Sequence, residues 1–170
     1  VPAVFADGPA PERDQRKFET DFLSMMIDHH YGAVKMAELC SGRTVHPELQ
    51  AMCDEIQASQ AEEIATMQSW LQSWYGLSHD PMLDRRTERQ VRYLSSLTGE
   101  AFEKAFMAIM IKHHSMAAMM AIDALNQAYH PELLNMAAMM LAAQGDEIAQ
   151  MRVWLHQWYS ILDLDRNDAR

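Results

Sequence analysis

Phe22-Leu23-Ser24-Met25-Met26-Ile27-Asp28-His29-His30 is answered 84 positions later by Phe106-Met107-Ala108-Ile109-Met110-Ile111-Lys112-His113-His114. The correspondence runs without a gap from Phe22–Tyr75 to Phe106–Tyr159, and 23 of the 54 aligned positions are identical. It takes in Ala33/Ala117, Met36/Met120, the His46-Pro47-Glu48-Leu49 and His130-Pro131-Glu132-Leu133 blocks, Gln60/Gln144, Glu63/Glu147, Met67/Met151 and Trp74/Trp158. Self-similarity of this extent at one shift reads as an internal duplication.

Each unit has helical periodicity. Phe22, Met26, His29, Ala33, Met36 and Cys40 recur at three and four and fall on one stripe. Leu49, Met52, Ile56, Gln60, Glu63, Met67, Trp70 and Trp74 make a second stripe. Gly42 ends the first helix and Pro47 suits the first turn of the next. So short a connection, about five residues, makes the two helices antiparallel neighbours. The expected fold is all-α: a four-helix bundle of two tandem αα-hairpins, spanning 11–78 and 98–162. A partly helical linker is expected over 79–97, with loose tails at 1–10 and 163–170.

The chain of 170 residues carries a net charge of −10, which argues against a nucleic-acid partner, because phosphate binding needs a basic face. No apolar run approaches the roughly 20 residues of a membrane span. Val4-Phe5-Ala6 matches the small-residue pattern of an export cleavage site. The unusual number is 15 Met beside 8 His. Methionine in a core is usually plastic filler.

The polar residues on the apolar stripes carry the functional reading. At 100° per residue, His29 falls at the centre of its stripe and His30 at the edge. Gln60 and Glu63 stand on the facing helix where Leu would be expected. The expected clusters are therefore His29 with Gln60 and Glu63, and His113 with Gln144 and Glu147. Such a cluster can be a satisfied polar network that fixes register and binds nothing. Methionine combined with His on one face, twice, points instead to a metal. Thioether sulfur is soft and suits Cu(I), while imidazole serves both copper oxidation states. The candidate ligands are His29, His30, Met26 and Met36, and His113, His114, Met110 and Met120, with Met116 adding a further sulfur to the second copy. Gln60, Glu63, Gln144 and Glu147 would orient the central histidines through hydrogen bonds. His46 and His130, next to the helix-opening prolines, read as plain helix-start residues.

Two other classes compete. Ferritin-like bundles often house a di-iron oxidase built on Glu and Glu-x-x-His, but no Glu-x-x-His occurs in this chain. The other rival is a helical interaction module whose Met-rich face is only core. No nucleophile-base set or phosphate-cradling glycine loop supports hydrolase or nucleotide chemistry. Cys40 and Cys53 are both replaced by Ala, Ala124 and Ala137, in the second unit. Paired loss is what a contacting pair would show, and a disulfide implies an oxidising compartment. A pair of thiolate copper ligands is the alternative.

The Phe-Leu start, Met-Ile, His-His pair and following Ala and Met resemble the domain of unknown function 305 family. So do Gln60, Glu63-Ile64, Met67 and Trp70-Leu71, and their second copies Gln144, Glu147-Ile148, Met151 and Trp154-Leu155. The resemblance covers Phe18 to Tyr159. It implies a ferritin-like bundle and an exported bacterial protein, and one member of the family is a periplasmic copper-binding protein linked to copper tolerance. Lys112 in place of Asp28, and Met116 in place of Gly32, imply that the two copies need not bind alike. The combined expectation is an exported, non-enzymatic copper-binding protein that sequesters or passes on the ion.

Overall fold

The computed structural model describes residues 8–164, and within them the chain is all-helical, with no strand. Five α-helices follow one another: α1 (Arg13–Ala37), α2 (Pro47–Tyr75), α3 (Arg85–Ser95), α4 (Gly99–Gln127) and α5 (Pro131–Tyr159). The Val4-Phe5-Ala6 pattern lies outside the described residues.

Local chemistry sets the ends. Glu12 and Gln15 form a reciprocal capping box at the start of α1. Proline opens α2 and α5, where its missing N–H has no helical acceptor to lose. Gly76 ends α2 at φ 64°, a left-handed conformation that glycine adopts without a Cβ clash. The Asp84 carboxylate caps α3 by accepting the Thr87 amide at 2.7 Å. After α1, a 3-10 turn at Glu38–Cys40 carries Cys40 to Cys53 of α2, and the two form a disulfide. Closing a loop of 13 positions contributes about 3 kcal/mol in the chain-entropy description.

Helix α1 packs on α2, α4 on α5, and α1 on α4, while α3 lies against both α1 and α4. Cys40–Cys53, His30–Glu63 and Glu19–Tyr75 fix the antiparallel register of α1 and α2. The apolar core divides in two. One cluster joins Ala33, Met36, Leu49 and Ile56 to Phe102, Phe106, Met110 and Met151. The other joins Phe22, Leu23, Met26 and Met67 to Ala117, Ala121, Leu133 and Met140. The late part of α1 thus meets the early part of α4, so these helices are antiparallel too. Between the clusters, at mid-height, lie all four residues of the His-His pairs.

Helix α4 is long enough, and on average apolar enough, to cross a membrane by length and composition, although Lys112-His113-His114-Ser115 interrupt its apolar residues. Here Phe102, Phe106, Met107, Met110, Ala117 and Ala121 are buried against neighbouring helices. Part of the segment read as a loose tail is also docked. The His130 ring bonds the Gly8 carbonyl at 2.9 Å, and Ala10 is fully buried.

Candidate metal centre

Neighbouring residues on a helix point about 100° apart, so a His-His pair must serve two directions. His30 and His114 turn inward within their own hairpins and are fully buried. His30 Nε2 pairs with Glu63 at 2.7 Å, and His114 Nε2 with Glu147 at 2.5 Å. His29 and His113 turn toward each other across the α1–α4 contact. Their rings stack with centroids 3.6 Å apart and planes 24° apart. The clusters expected around His29 and His113 are therefore corrected: the second histidine of each pair meets the glutamate. Helix α1 contacts both α2 and α4, so its inward arc is wide enough to hold both rings.

The four imidazoles form one group. Rings within each pair are 6.4 and 6.5 Å apart. Burial, then the nearby His30 and His114, lowers the His29 pKa from 6.5 to about 3. Burial and His29 likewise hold His113 well below its ordinary value. Both rings are thus neutral at pH 7, the form that binds a metal.

A satisfied network would have every ring nitrogen bonded, and this one does not. Both nitrogens of His29 lack a hydrogen-bond partner, as do the Nδ1 atoms of His30, His113 and His114. Gln60 and Gln144 are nearly fully buried, and their Oε1 atoms are also unpartnered. An unmet buried polar group costs about 1–3 kcal/mol. The Glu–imidazole contacts leave Nδ1 of His30 and His114 as the open nitrogen, the arrangement by which carboxylates orient metal-binding histidines. This donor set fits a soft or borderline ion. No three His, Cys, Asp or Glu among the described residues are already converged on a metal position, so sulfur or a ring rotation must complete a shell.

His29 and His113 form the floor of a cleft of about 560 Å³ between α1, α4 and the 82–90 stretch. Its methionines are Met25, Met82, Met116 and Met120. Of the methionines expected to supply sulfur, Met116 and Met120 reach this space. Met26, Met36 and Met110 are fully buried among apolar side chains. Met25 and Met82, both more than half exposed, escaped the sequence reading because they lie off the core stripes. The Asp28 carboxylate holds the rim, accepting the Met82 amide at 2.9 Å and pairing with His79 at 2.8 Å.

His46 and His130 precede α2 and α5, but they do more than start helices. The Glu19 carboxylate on α1 accepts the Tyr129 and His130 amides at 2.7 and 2.9 Å, pairs with the His130 ring at 2.6 Å and accepts the Tyr75 hydroxyl at 2.5 Å. Glu103 on α4 does the same for the Val45 and His46 amides, the His46 ring and the Tyr159 hydroxyl. His130 stacks on Trp74 and His46 on Trp158, with centroids 3.7 Å apart in both cases. Burial pushes the Glu103 carboxyl upward, yet the bonds from His46, Tyr159 and Val45 outweigh it and leave the pKa lowered. These saturated carboxylates join the hairpins to each other. The repeat held the signal, since Glu19/Glu103 keep the shift just upstream of Phe22.

The profile of the domain of unknown function DUF305 matches residues 19–155. The chain belongs to the DUF305 family. CopM in its Cu(I)-bound form is 30% identical, with 83% of this chain and 97% of CopM covered at a TM-score of 0.74. Its Cu(II)-bound form is also 30% identical over the same shares, at 0.75. A DUF305 fragment from Deinococcus radiodurans is 26% identical, covering 88% of this chain and 99% of the fragment at 0.74. A DUF305 protein from Streptomyces coelicolor, taken to be secreted, shares the fold at 23% identity, covering 82% and 91% at 0.73. None of these descriptions is of an enzyme. A search of curated proteins finds no match.

Proposed function

We propose that the protein binds copper at the imidazole group between α1 and α4, on a four-helix, ferritin-like bundle of two hairpins in an exported compartment. The observation that carries this reading is the set of open ring nitrogens on His29, His30, His113 and His114, two of those rings facing a cleft rimmed by thioethers. The histidines supply nitrogen, and Met25, Met82, Met116 and Met120 are the sulfur donors within reach of the cleft. Glu63 and Glu147 fix the ring orientation of His30 and His114. Neutral imidazole with thioether selects Cu(I) over hard cations. CopM, solved with Cu(I), Cu(II) and Ag bound, supports the assignment by likeness. The Cys40–Cys53 disulfide suits an oxidising location.

The test is competition of the full chain against a Cu(I) chelator, repeated with His29→Ala/His113→Ala. The expected result is tight binding by the natural chain and a loss of 100-fold or more in the variant, on the order of 3 kcal/mol. Equal affinity in the two proteins would remove the centre from these residues.

A further inference from the structure

The copper centre leaves part of the methionine content without a role. Met119 is 69% exposed and Met116 48%, the opposite of filler in a core. Met119 and Met120 follow Met116 by three and four positions, so each neighbours it on the surface of α4. Together with Lys112, Ser115 and Asp123 they line a shallow groove of about 430 Å³ beside the imidazole cleft. Met116 and Met120 line both spaces, whereas Met119 lines only the outer one.

The first hairpin has no such surface. The residues matching Met116, Met119 and Met120 at the shift of 84 are Gly32, Lys35 and Met36. Gly32 lies beneath Thr87 of α3, Lys35 pairs with Glu38, and Met36 is fully buried. The second hairpin thus presents a series of sulfurs from solvent to the edge of the cleft, where the first contributes the single exposed Met25.

We propose that Met116, Met119 and Met120 form an outer thioether site that captures Cu(I) and passes it to the imidazole cleft. The cleft as destination rests on the copper-binding reading above. Neutral sulfur donors favour the soft monovalent ion, while Cu(II) and Zn(II) favour nitrogen and oxygen. The Asp123 carboxylate draws cations to the groove, the Lys112 ammonium opposes it, and both are exposed. Transfer is ligand exchange alone. The ion leaves Met119 while still held by Met116 and Met120, then gains imidazole nitrogen, with no change of oxidation state and no proton released by the sulfurs.

The test uses the full chain labelled with 13C at the methionine methyls, titrated anaerobically with Cu(I), in natural, His29→Ala/His113→Ala and Met119→Leu forms. The Met119 methyl resonance is expected to shift with Cu(I) even in the His double variant, and to ignore Cu(II) and Zn(II). Met119→Leu should keep the natural affinity at the cleft but load several-fold more slowly from a weak donor. A Met119 methyl unmoved at saturating Cu(I) would overturn the outer site, and so would a shift given equally by Zn(II). Loading of Met119→Leu at the natural rate would overturn the transfer. A Met119 shift in a natural chain whose imidazoles take no copper would instead overturn the copper centre and leave the outer site standing.

Discussion

Adjacent imidazoles on one helical turn divide the work: His30 and His114 are anchored by carboxylates, while His29 and His113 meet each other. Burial of the stacked pair has a consequence in acid. The unfolded chain protonates these rings below about 6.5, but folded His29 resists until about 3. Between those values the unfolded state binds more protons, so stability falls as pH falls. The melting temperature is expected to drop between pH 6.5 and 4.5 in the natural chain and to drop less in His29→Gln/His113→Gln. Parallel curves would show that these rings are not buried neutral. The residue types of the site were legible from the sequence, because His, Glu and Gln interrupt stripes that are otherwise apolar. Their partners were less so. A helical wheel gives direction relative to one helix, and it took three-dimensional packing to show that α1 faces α2 and α4 at once.

At the scale of elements, α3 makes the two halves of the molecule unequal. It lies over α1 where Gly32 leaves room, and a Cβ there would come within 2.8 Å of Thr87 Cγ2 and 3.3 Å of His113 Nε2. Alanine at this position gains helix propensity of up to about 1 kcal/mol, yet it must move α3 or the His113 ring. Gly32→Ala is therefore expected to weaken Cu(I) binding while the protein stays folded. Adding Thr87→Ser, which removes the clashing methyl, should restore most of the affinity. Affinity unchanged in Gly32→Ala would show that α3 does not constrain the site. Helix α3 itself was readable as a partly helical stretch, but its resting place was not. The Asp84 cap gives its start, whereas its contacts depend on Gly32 and on Asp28 holding the chain beside Met82.

At the scale of the whole molecule, the decisive contacts are the two carboxylates that cross between hairpins. Glu19→Ala strips the Tyr129 and His130 amides, the His130 ring and the Tyr75 hydroxyl of their shared acceptor. Loss of one member of a buried pair costs about 3–5 kcal/mol, and denaturant unfolding should show that loss. Copper affinity measured on the folded fraction should stay near the natural value, because Glu19 lies a helix-half away from the imidazoles. For Glu103, whose pKa is lowered, the stabilising contribution is present above the ordinary carboxylate value of 4.5 and is lost on further acidification, so it begins to fall only in the lower part of the window where the histidines act. Glu19 reaches His130 across 111 positions of chain. During synthesis, a first hairpin that has already left the ribosome therefore holds a carboxyl side chain in waiting. Two of its closing partners, the amides of Tyr129 and His130, are made 110 and 111 positions later, so the hairpins lock together only once the start of α5 has emerged.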